Sequence, residues 1–126
     1  MHRSRLAGFI IDCKTDDLEQ AARFWAAALG YQLQPKSEEQ SPLYRGLQTE
    51  DLGLHVEVQT VQHDSRVHLD IESDDIEAEV TRLEALGAKR IDKVHTWCVM
   101  EAPTGQRFCI VRPQNKNFAA TANEWK

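Results

Sequence analysis

The sequence predicts an α+β fold made of two tandem βαβββ modules. Residues 66–91 have the pattern of a strand, a capped helix, a glycine stop and a second strand. Residues 6–33 repeat this pattern 58 residues earlier, so that Asp12 aligns with Asp70. A repeated unit of this length constrains a fold more strongly than composition does. In each module the three strands after the helix are expected to form a meander. The uncovered sheet faces would then enclose a cavity, either within one chain or across a dimer.

The chain of 126 residues is long enough for one domain with a real core. We therefore predict a single domain over residues 1–126, with module one at about residues 6–59, module two at about 66–112 and a polar tail at 113–126. Residues 60–65 connect the modules and are too few for a flexible linker between independent domains.

Composition and charge exclude several classes of function. The net charge is −5 and no basic stripe is present, so a nucleic-acid partner is not expected. No apolar run approaches the ~18 residues of a membrane span. The N-terminal apolar run is short and is interrupted by Asp12, which argues against a signal peptide and favours a cytoplasmic protein. Cys13, Cys98 and Cys109 lack CxxC spacing, which argues against a disulfide framework and a thiolate metal site.

Module one begins with a predicted strand at residues 6–13. Thr15 or Asp16 is the expected N-cap of the first helix, and Glu19 would complete a capping box from Asp16. Gly30 ends the helix. The core face is predicted from apolar residues at helical spacing, which are Leu18, Ala22, Trp25 and Leu29.

The rest of module one predicts three more strands. Residues 31–34 should form a short strand, residues 36–42 a polar loop and residues 43–48 the next strand. A turn is expected at residues 49–53, followed by a strand at residues 54–59. Along that last strand, Leu54, Val56 and Val58 share one face, and His55, Glu57 and Gln59 share the other.

Module two follows the same order. In its first strand the polar face is His68, Asp70 and Glu72, and the apolar face is Val67, Leu69 and Ile71. Ser73 or Asp74 is the expected N-cap of the second helix. The predicted core stripe of that helix is Ile76, Val80, Leu83 and Leu86, and its solvated positions are Glu77, Glu79, Arg82 and Glu84. Further strands are expected at residues 89–92, 95–101 and 107–112, with a turn at 103–105.

Three phrases of the sequence resemble the glyoxalase-like branch of the vicinal oxygen chelate superfamily. They are RFWAAALGY at 23–31, RVHLDIESDDIEAEVTRLEALGA at 66–88 and EAPTGQRFCIVRP at 101–113. The superfamily includes glyoxalase I, extradiol dioxygenases and fosfomycin- and bleomycin-resistance proteins. The resemblance implies a half-barrel pair of the glyoxalase/bleomycin-resistance type and a homodimer. It is specific for fold rather than reaction, because the superfamily hosts many chemistries and also pure binders.

The resemblance also implies where a metal would be held. Members that bind a metal place one ligand on the first and one on the last strand of each module. These positions fall on Ile10, Glu57, His68 and Cys109, with His55 replacing Glu57 if the register slips by two. Ile10 cannot ligate, and a buried structural role is the commoner state for a cysteine such as Cys109. We therefore expect no tightly bound metal, with a divalent ion on His68, Glu57 and Cys109 as the alternative.

The predicted ligand-binding residues are His68, Glu57, Asp70 and Trp97. Asp70 lies two residues from His68 on one strand face and can orient its imidazole. Asp12 at the equivalent place of module one instead suggests a repeated structural bond. Glu57 is either an exposed strand residue or a cavity carboxylate, and Trp97 either stacks on a ligand or covers the barrel or a dimer contact.

Three functions remain in competition. The first is a small-molecule-binding protein without a tightly bound metal or other cofactor. The second is a metal-dependent glyoxalase-like lyase, or a related enzyme, with a reduced ligand set. The third is a cofactor-free isomerase or hydrolase in which Glu57 or Asp70 is the catalytic base. No motif of another enzyme class is present, and the sequence leaves open whether any reaction is catalysed.

Overall fold

The computed structural model describes residues 1–36 and 41–126. These residues form two compact units, one of residues 9–67 and the other of residues 1–8 and 68–126. The described residues contain eight strands and three α-helices, which confirms the predicted α+β class. Residues 37–40 of the predicted polar loop lie outside the described residues. None of the described helices is both long and apolar enough to cross a lipid bilayer.

The elements follow one another in an order close to that predicted. They are β1 (His2–Lys14), α1 (Leu18–Leu29), β2 (Tyr44–Gly46), β3 (His55–Val61), β4 (Arg66–Ser73), α2 (Ile76–Ala85), β5 (Lys89–Val94), β6 (Trp97–Glu101), β7 (Arg107–Val111), α3 (Phe118–Thr121) and β8 (Asn123–Trp125). The strand predicted at residues 31–34 is wrong, because that segment contributes only an isolated bridge from Leu33 to Leu47. The predicted turn at residues 49–53 is a single 3-10 turn that closes at Gly53, whose φ is 64°.

In the unit of residues 9–67, helix α1 packs its small residues against the sheet. Ala22 is fully buried with Ile11 and Val58, and Trp25 packs against this cluster. Leu29 was predicted to be core, but its residue is 48% exposed and Ala26 is buried instead. Gly30 takes a left-handed conformation and ends the helix. The buried face of α1 therefore ends at Ala26, and Leu29 in the last turn stays exposed.

The N-caps of both long helices lie one residue beyond the predicted positions. Asp17 accepts a hydrogen bond from Gln20 N at the start of α1, and Thr15 Oγ1 accepts one from Asp17 N. Asp75 caps α2 by accepting a hydrogen bond from Ala78 N. The earlier side chains are already engaged in bonds to the backbone, so the next aspartate becomes the cap.

In the other unit, helix α2 covers strands β5, β6 and β7. Its core contains Val80, Leu83, Cys98, Met100 and Ile110, with Ile76 packed against it. Strands β4, β7, β6 and β5 are neighbours in that order; β4 and β7 are parallel, and the other two pairs are antiparallel. Leu86 was predicted to be core but is 66% exposed, because it caps the end of α2 beyond the last turn that contacts the sheet.

The polar tail is tied to this unit. Glu72 is fully buried, and its Oε1 accepts hydrogen bonds from Gln114 N at 2.5 Å and Asn115 N at 3.0 Å. Phe118 is buried, and β8 pairs with the start of β1, so that Trp125 lies opposite His2. Buried carboxylate oxygens are stable when backbone amides donate to them, and Glu72 therefore fixes where the tail leaves the sheet.

Glu79 was predicted to be solvated, and this is wrong because its side chain is fully buried. Arg82 Nε and Nη2 each donate to its carboxylate at 2.8 Å. Ser4 Oγ donates to Glu79 Oε2 at 2.7 Å, and His2 Nε2 lies 2.7 Å from Oε1. Helical spacing alone cannot reveal this, since two of the three partners belong to β1.

The network around Glu79 joins both ends of the chain to α2. Trp125 Nε1 donates to Ser4 Oγ at 2.8 Å, and the Arg82 guanidinium lies 3.8 Å from the centre of the Trp125 ring. Burial raises the pKa of Glu79, but the hydrogen bond from Arg82 opposes it. The hydrogen bonds from Ser4 and His2 act in the same direction, and together they lower the pKa of Glu79 from 4.5 to about 2.

Truncation of Leu83 tests the packing of α2. Leu83→Ala removes a buried side chain and leaves a cavity, so we expect a loss of ~2–5 kcal/mol in the free energy of unfolding. The control is Leu86→Ala on the same helix, which should change it by less than about 0.5 kcal/mol because Leu86 is exposed. Urea denaturation measures both. Equal losses in the two variants would show that α2 is not packed as described.

The Glu79 network predicts a pH-dependent stability. The folded-state pKa of Glu79 is depressed, so its contribution is complete above about 4.5 and is lost as pH falls toward about 2. At neutral pH this contribution is on the order of 3 kcal/mol. Glu79→Gln should therefore be much less stable than the wild type at pH 7, and the difference should shrink with acidification. A difference that stays constant from pH 7 to about pH 2 contradicts this account; denaturation at several pH values measures it.

Candidate functional site

Strands β4 and β7 bring three chemically reactive side chains together. The two strands are parallel, and Asp70 lies directly opposite Cys109. His68 precedes Asp70 by two residues and therefore shares its face of the strand. One donor atom from each of His68, Asp70 and Cys109 lies within 4.8 Å of the others. We call these three residues the His–Asp–Cys group.

Asp70 is the most constrained member of the group. Its side chain is 10% exposed, and His68 Nε2 lies 3.5 Å from Asp70 Oδ1. Oδ1 itself is buried and accepts no hydrogen bond from the described residues. An unsatisfied buried oxygen costs about 1–3 kcal/mol, and more when the group is charged. The fold therefore keeps an acceptor ready that a bound group can satisfy.

The exposure of β4 is the reverse of a simple polar-out pattern. Asp70 and Glu72 on the polar face are buried, whereas Leu69 on the apolar face is 44% exposed. Of that apolar face, Ile71 packs against the core beneath α2. Helix α2 packs on β5, β6 and β7, and this leaves Leu69 uncovered. The polar face is therefore the more enclosed one; the tail covers Glu72, and Asp70 belongs to the His–Asp–Cys group.

The cysteines have different roles from those predicted. Cys109 was expected to be a buried structural thiol, but it is only half-buried and faces Asp70 and Val99 on the neighbouring strands. Cys98 is the structural thiol, since it is 1% exposed within the core. Burial raises the pKa of the Cys98 thiol. The apolar neighbours Phe108 and Ile110 suggested that Cys109 is buried. They lie on the opposite face of β7, so they do not determine the exposure of Cys109.

The His–Asp–Cys group fits the ligands of a borderline divalent ion. Imidazole nitrogen, carboxylate oxygen and thiolate sulfur are the donors that Zn²⁺ accepts, and catalytic sites keep three protein ligands with one position open. The orphaned Asp70 Oδ1 supplies a ready oxygen. If an ion is held here, Asp70 would be its carboxylate ligand, a role for which the resemblance had implied Glu57. An ion held here would act as a Lewis acid on a substrate oxygen. The expectation of no tightly bound metal stays a prediction.

Glu57 and His55 lie on β3 in the unit of residues 9–67. Glu57 Oε1 is 2.6 Å from His55 Nε2, and the two side chains are about one-fifth exposed. In the same unit Ile10 is buried, as its apolar side chain requires. Asp12 is also buried, with Arg66 Nε 3.8 Å from its Oδ2. Asp12 therefore lies beside Arg66 and Asp70 beside His68, and the repeated structural bond stays a prediction.

The structure does not place Trp97 in the His–Asp–Cys group. Trp97 begins β6 opposite Val94, and its ring centre is 5.7 Å from that of His95. It lines a separate cavity of about 310 Å³, which we call the β6 cavity. This cavity is bordered by residues 74–77, Lys93, residues 95–98 and Arg112.

Glu19, which was expected to complete a capping box, and Glu77 at the equivalent place of α2 both bind cations. Glu19 accepts hydrogen bonds at 2.5 and 2.6 Å from the buried Arg45, which lower the pKa of Glu19. Glu77 is paired with Arg90 in the same way, and its pKa is likewise lowered. Arg45 and Arg90 were not predicted as partners. Each lies on a strand, and the spacing of residues in the sequence does not reveal which strand residues lie near the helix.

Comparison with known proteins agrees with the fold. A family model described as Glyoxalase-like domain matches residues 8–111. No curated protein sequence matches the chain. A hypothetical protein from Bacillus halodurans C-125 is 12% identical, with 90% of this chain and 96% of that chain covered and a TM-score of 0.65.

Two further solved structures have related titles. Methylmalonyl-CoA epimerase from Mycobacterium tuberculosis is 16% identical, with 92% and 91% of the two chains covered and a TM-score of 0.62. A glyoxalase/bleomycin resistance protein/dioxygenase superfamily member from Vibrio splendidus 12B01 is 17% identical, with 85% and 98% covered and a TM-score of 0.50. These identities show a common fold, and the superfamily resemblance is confirmed.

The buried Oδ1 of Asp70, which accepts no hydrogen bond from the described residues, predicts that Asp70 lowers the free energy of unfolding. Asp70→Asn removes the buried charge and gives His68 an amide donor, so the free energy of unfolding should rise by about 1–3 kcal/mol without ligand. Asp64→Asn is the control, since the Asp64 side chain is fully exposed. Urea denaturation at neutral pH measures both. A clear loss of stability in Asp70→Asn would mean that Oδ1 already has a stabilising partner.

Proposed function

We propose that this chain, which belongs to the glyoxalase-like domain family, binds a small organic molecule at the His–Asp–Cys group. The observation that supports the proposal is the buried Oδ1 of Asp70, which accepts no hydrogen bond from the described residues. A ligand with an N–H or O–H group would satisfy this oxygen and remove its desolvation cost. Binding would therefore gain more from that contact than from an equal contact at the surface.

The neighbours of Asp70 define the rest of the ligand contact. The His68 imidazole can donate or accept a hydrogen bond, depending on its tautomer, and its side chain is 14% exposed. Cys109 is a soft, weakly polar neighbour on β7. A small ligand with one donor and one acceptor group fits this combination. Glu57 remains a predicted ligand contact.

A divalent-cation-dependent enzyme of the same family, such as a lyase, is the second candidate. It is favoured by the three different donor atoms that lie within 4.8 Å of one another. Four-coordinate catalytic sites use three protein ligands of these types. The third candidate, in which Asp70 or Glu57 is the base of a cofactor-free reaction, rests on the same carboxylate chemistry. The homodimer and the cytoplasmic location also remain predictions.

One solved neighbour suggests a first probe molecule. This neighbour is a methylmalonyl-CoA epimerase in complex with methylmalonyl-CoA and NH4+, which is 13% identical to this chain with a TM-score of 0.56. Methylmalonyl-CoA is therefore a reasonable member of a probe set that also contains small amides and alcohols. Amide NMR signals of residues 68–70 and 109 report binding at the group.

The test compares binding with and without a metal chelator. We expect at least one probe to shift these signals saturably in chelator-treated protein, and His68→Ala and Asp70→Asn to weaken it about tenfold or more. His63→Ala is the matched control, because His63 is exposed in the connection between β3 and β4. Elemental analysis of the purified protein is run in parallel.

The outcomes separate the candidates. Stoichiometric zinc, nickel, iron or manganese that is lost in His68→Ala would favour the cation-dependent enzyme. The same conclusion follows if chelation abolishes probe binding and zinc restores it. If no probe shifts these signals in either condition, the His–Asp–Cys group is not a ligand site.

A further inference from the structure

We propose that the β6 cavity is a second binding site, which takes a small aromatic carboxylate. The cavity measures about 310 Å³, a volume at the lower end of small-molecule sites. None of His68, Asp70 and Cys109 lines it, so the inference does not depend on the function proposed for that group. It rests on the charges, the aromatic rings and the backbone conformation of the cavity wall.

The carboxylates of the cavity wall already have partners within the chain. Asp74 Oδ1 accepts a hydrogen bond from Arg3 N at 2.8 Å, and its Oδ2 accepts one from Arg3 Nε at 3.2 Å. This backbone bond lowers the pKa of Asp74. Asp75 is occupied as the N-cap of α2, and Glu77 binds the Arg90 guanidinium with both oxygens. These acidic residues therefore offer little repulsion to an incoming anion.

Arg112 supplies an uncommitted guanidinium at the cavity edge. Its side chain is exposed and makes no hydrogen bond or ion pair with the other described residues. Lys93 Nζ forms a looser ion pair with Glu77 Oε1 at 3.8 Å, and its side chain is 63% exposed. The cavity wall itself carries the cations Lys93 and Arg112 and three carboxylates, of which Asp74 and Glu77 are paired with the arginines Arg3 and Arg90 outside the wall. A guanidinium binds a carboxylate with two parallel hydrogen bonds, which favours this group over a spherical anion.

The aromatic part of the ligand is inferred from Trp97 and His95. Their ring centres are 5.7 Å apart and their planes are inclined by 52°, so the two rings form an open wedge. A third planar ring can stack on the free face of the indole. His95 has a φ of 50°, a conformation that non-glycine residues adopt rarely and at some energetic cost. That turn holds the exposed imidazole beside Trp97.

The equivalent cavity of the other unit shows why the free guanidinium matters. It measures about 430 Å³ and is lined by residues 16–19, Tyr44 and Arg45 among others. There the Arg45 guanidinium is committed to Glu19 and to Gln34 O. In the β6 cavity the residue after Trp97 is the small Cys98, whereas in the other cavity Arg45 follows Tyr44. The β6 cavity has its cationic residue Arg112 directly after β7 instead.

The experiment is a titration with benzoate, followed at the Trp97 Nε1–H NMR signal, which Trp97→Phe identifies. Benzamide lacks the charge, and cyclohexanecarboxylate lacks the planar ring. We expect benzoate to shift the signal saturably with a Kd of about 1 mM. Benzamide and cyclohexanecarboxylate should bind the wild type about tenfold more weakly than benzoate does. Arg112→Gln should bind benzoate about tenfold more weakly than the wild type does. Arg112→Lys keeps the charge but not the fork, and should fall between Arg112→Gln and the wild type.

Arg23→Gln is the matched control, because Arg23 is an exposed arginine of α1 outside the cavity. It should bind benzoate as the wild type does. The proposal is overturned if benzoate causes no saturable shift at about 10 mM. It is equally overturned if Arg23→Gln weakens binding as much as Arg112→Gln, or if cyclohexanecarboxylate binds as well as benzoate. Arg112 is exposed, so its substitution leaves the core intact.

Discussion

The parallel pairing of β4 with β7 is the constraint on which the rest of this unit depends. Its register sets Ile71 against Ile110 on the core face and Asp70 against Cys109 on the other. Because side chains alternate along a strand, a slip of one residue would bury Asp70 under α2 and turn Ile71 toward the site. Packing of the core therefore also fixes the candidate site, and neither can shift alone.

Three buried carboxylates in this unit show how differently charge can be accommodated. Glu72 and Glu79 are fully buried, and each accepts several hydrogen bonds from the chain itself. Asp70 is also buried, but one of its oxygens accepts none. Buried charge is tolerated when it is paired and costs free energy when it is not. The contrast separates two acids that the chain itself satisfies with hydrogen bonds from one whose Oδ1 has only the His68 imidazole nearby, at 3.5 Å.

Periodicity and repetition were sufficient to predict the class of fold, both long helices and most of the strands, because each depends on local sequence. The errors arise where contacts with residues distant in the sequence determine whether a side chain is buried. Glu79 has polar spacing on α2, yet Ser4 and Arg82 make its burial favourable. At the site, the sequence predicted that His68 and Asp70 lie together. That Cys109 joins them follows from the strand register, which no local pattern reveals.

The pairing of β8 with β1 has a consequence for synthesis of the protein on the ribosome. Residues 9–67 are contiguous, so their contacts can form while the rest of the chain is still being translated. The other unit needs both Ser4 and Trp125, whose hydrogen bond completes the network around Glu79. It can reach its final state only after Trp125 has emerged, at a synthesis rate of about 5–20 residues per second. Until then residues 2–4 of β1 lack their pairing with β8. Nascent chains are expected to be most vulnerable to misfolding during that interval.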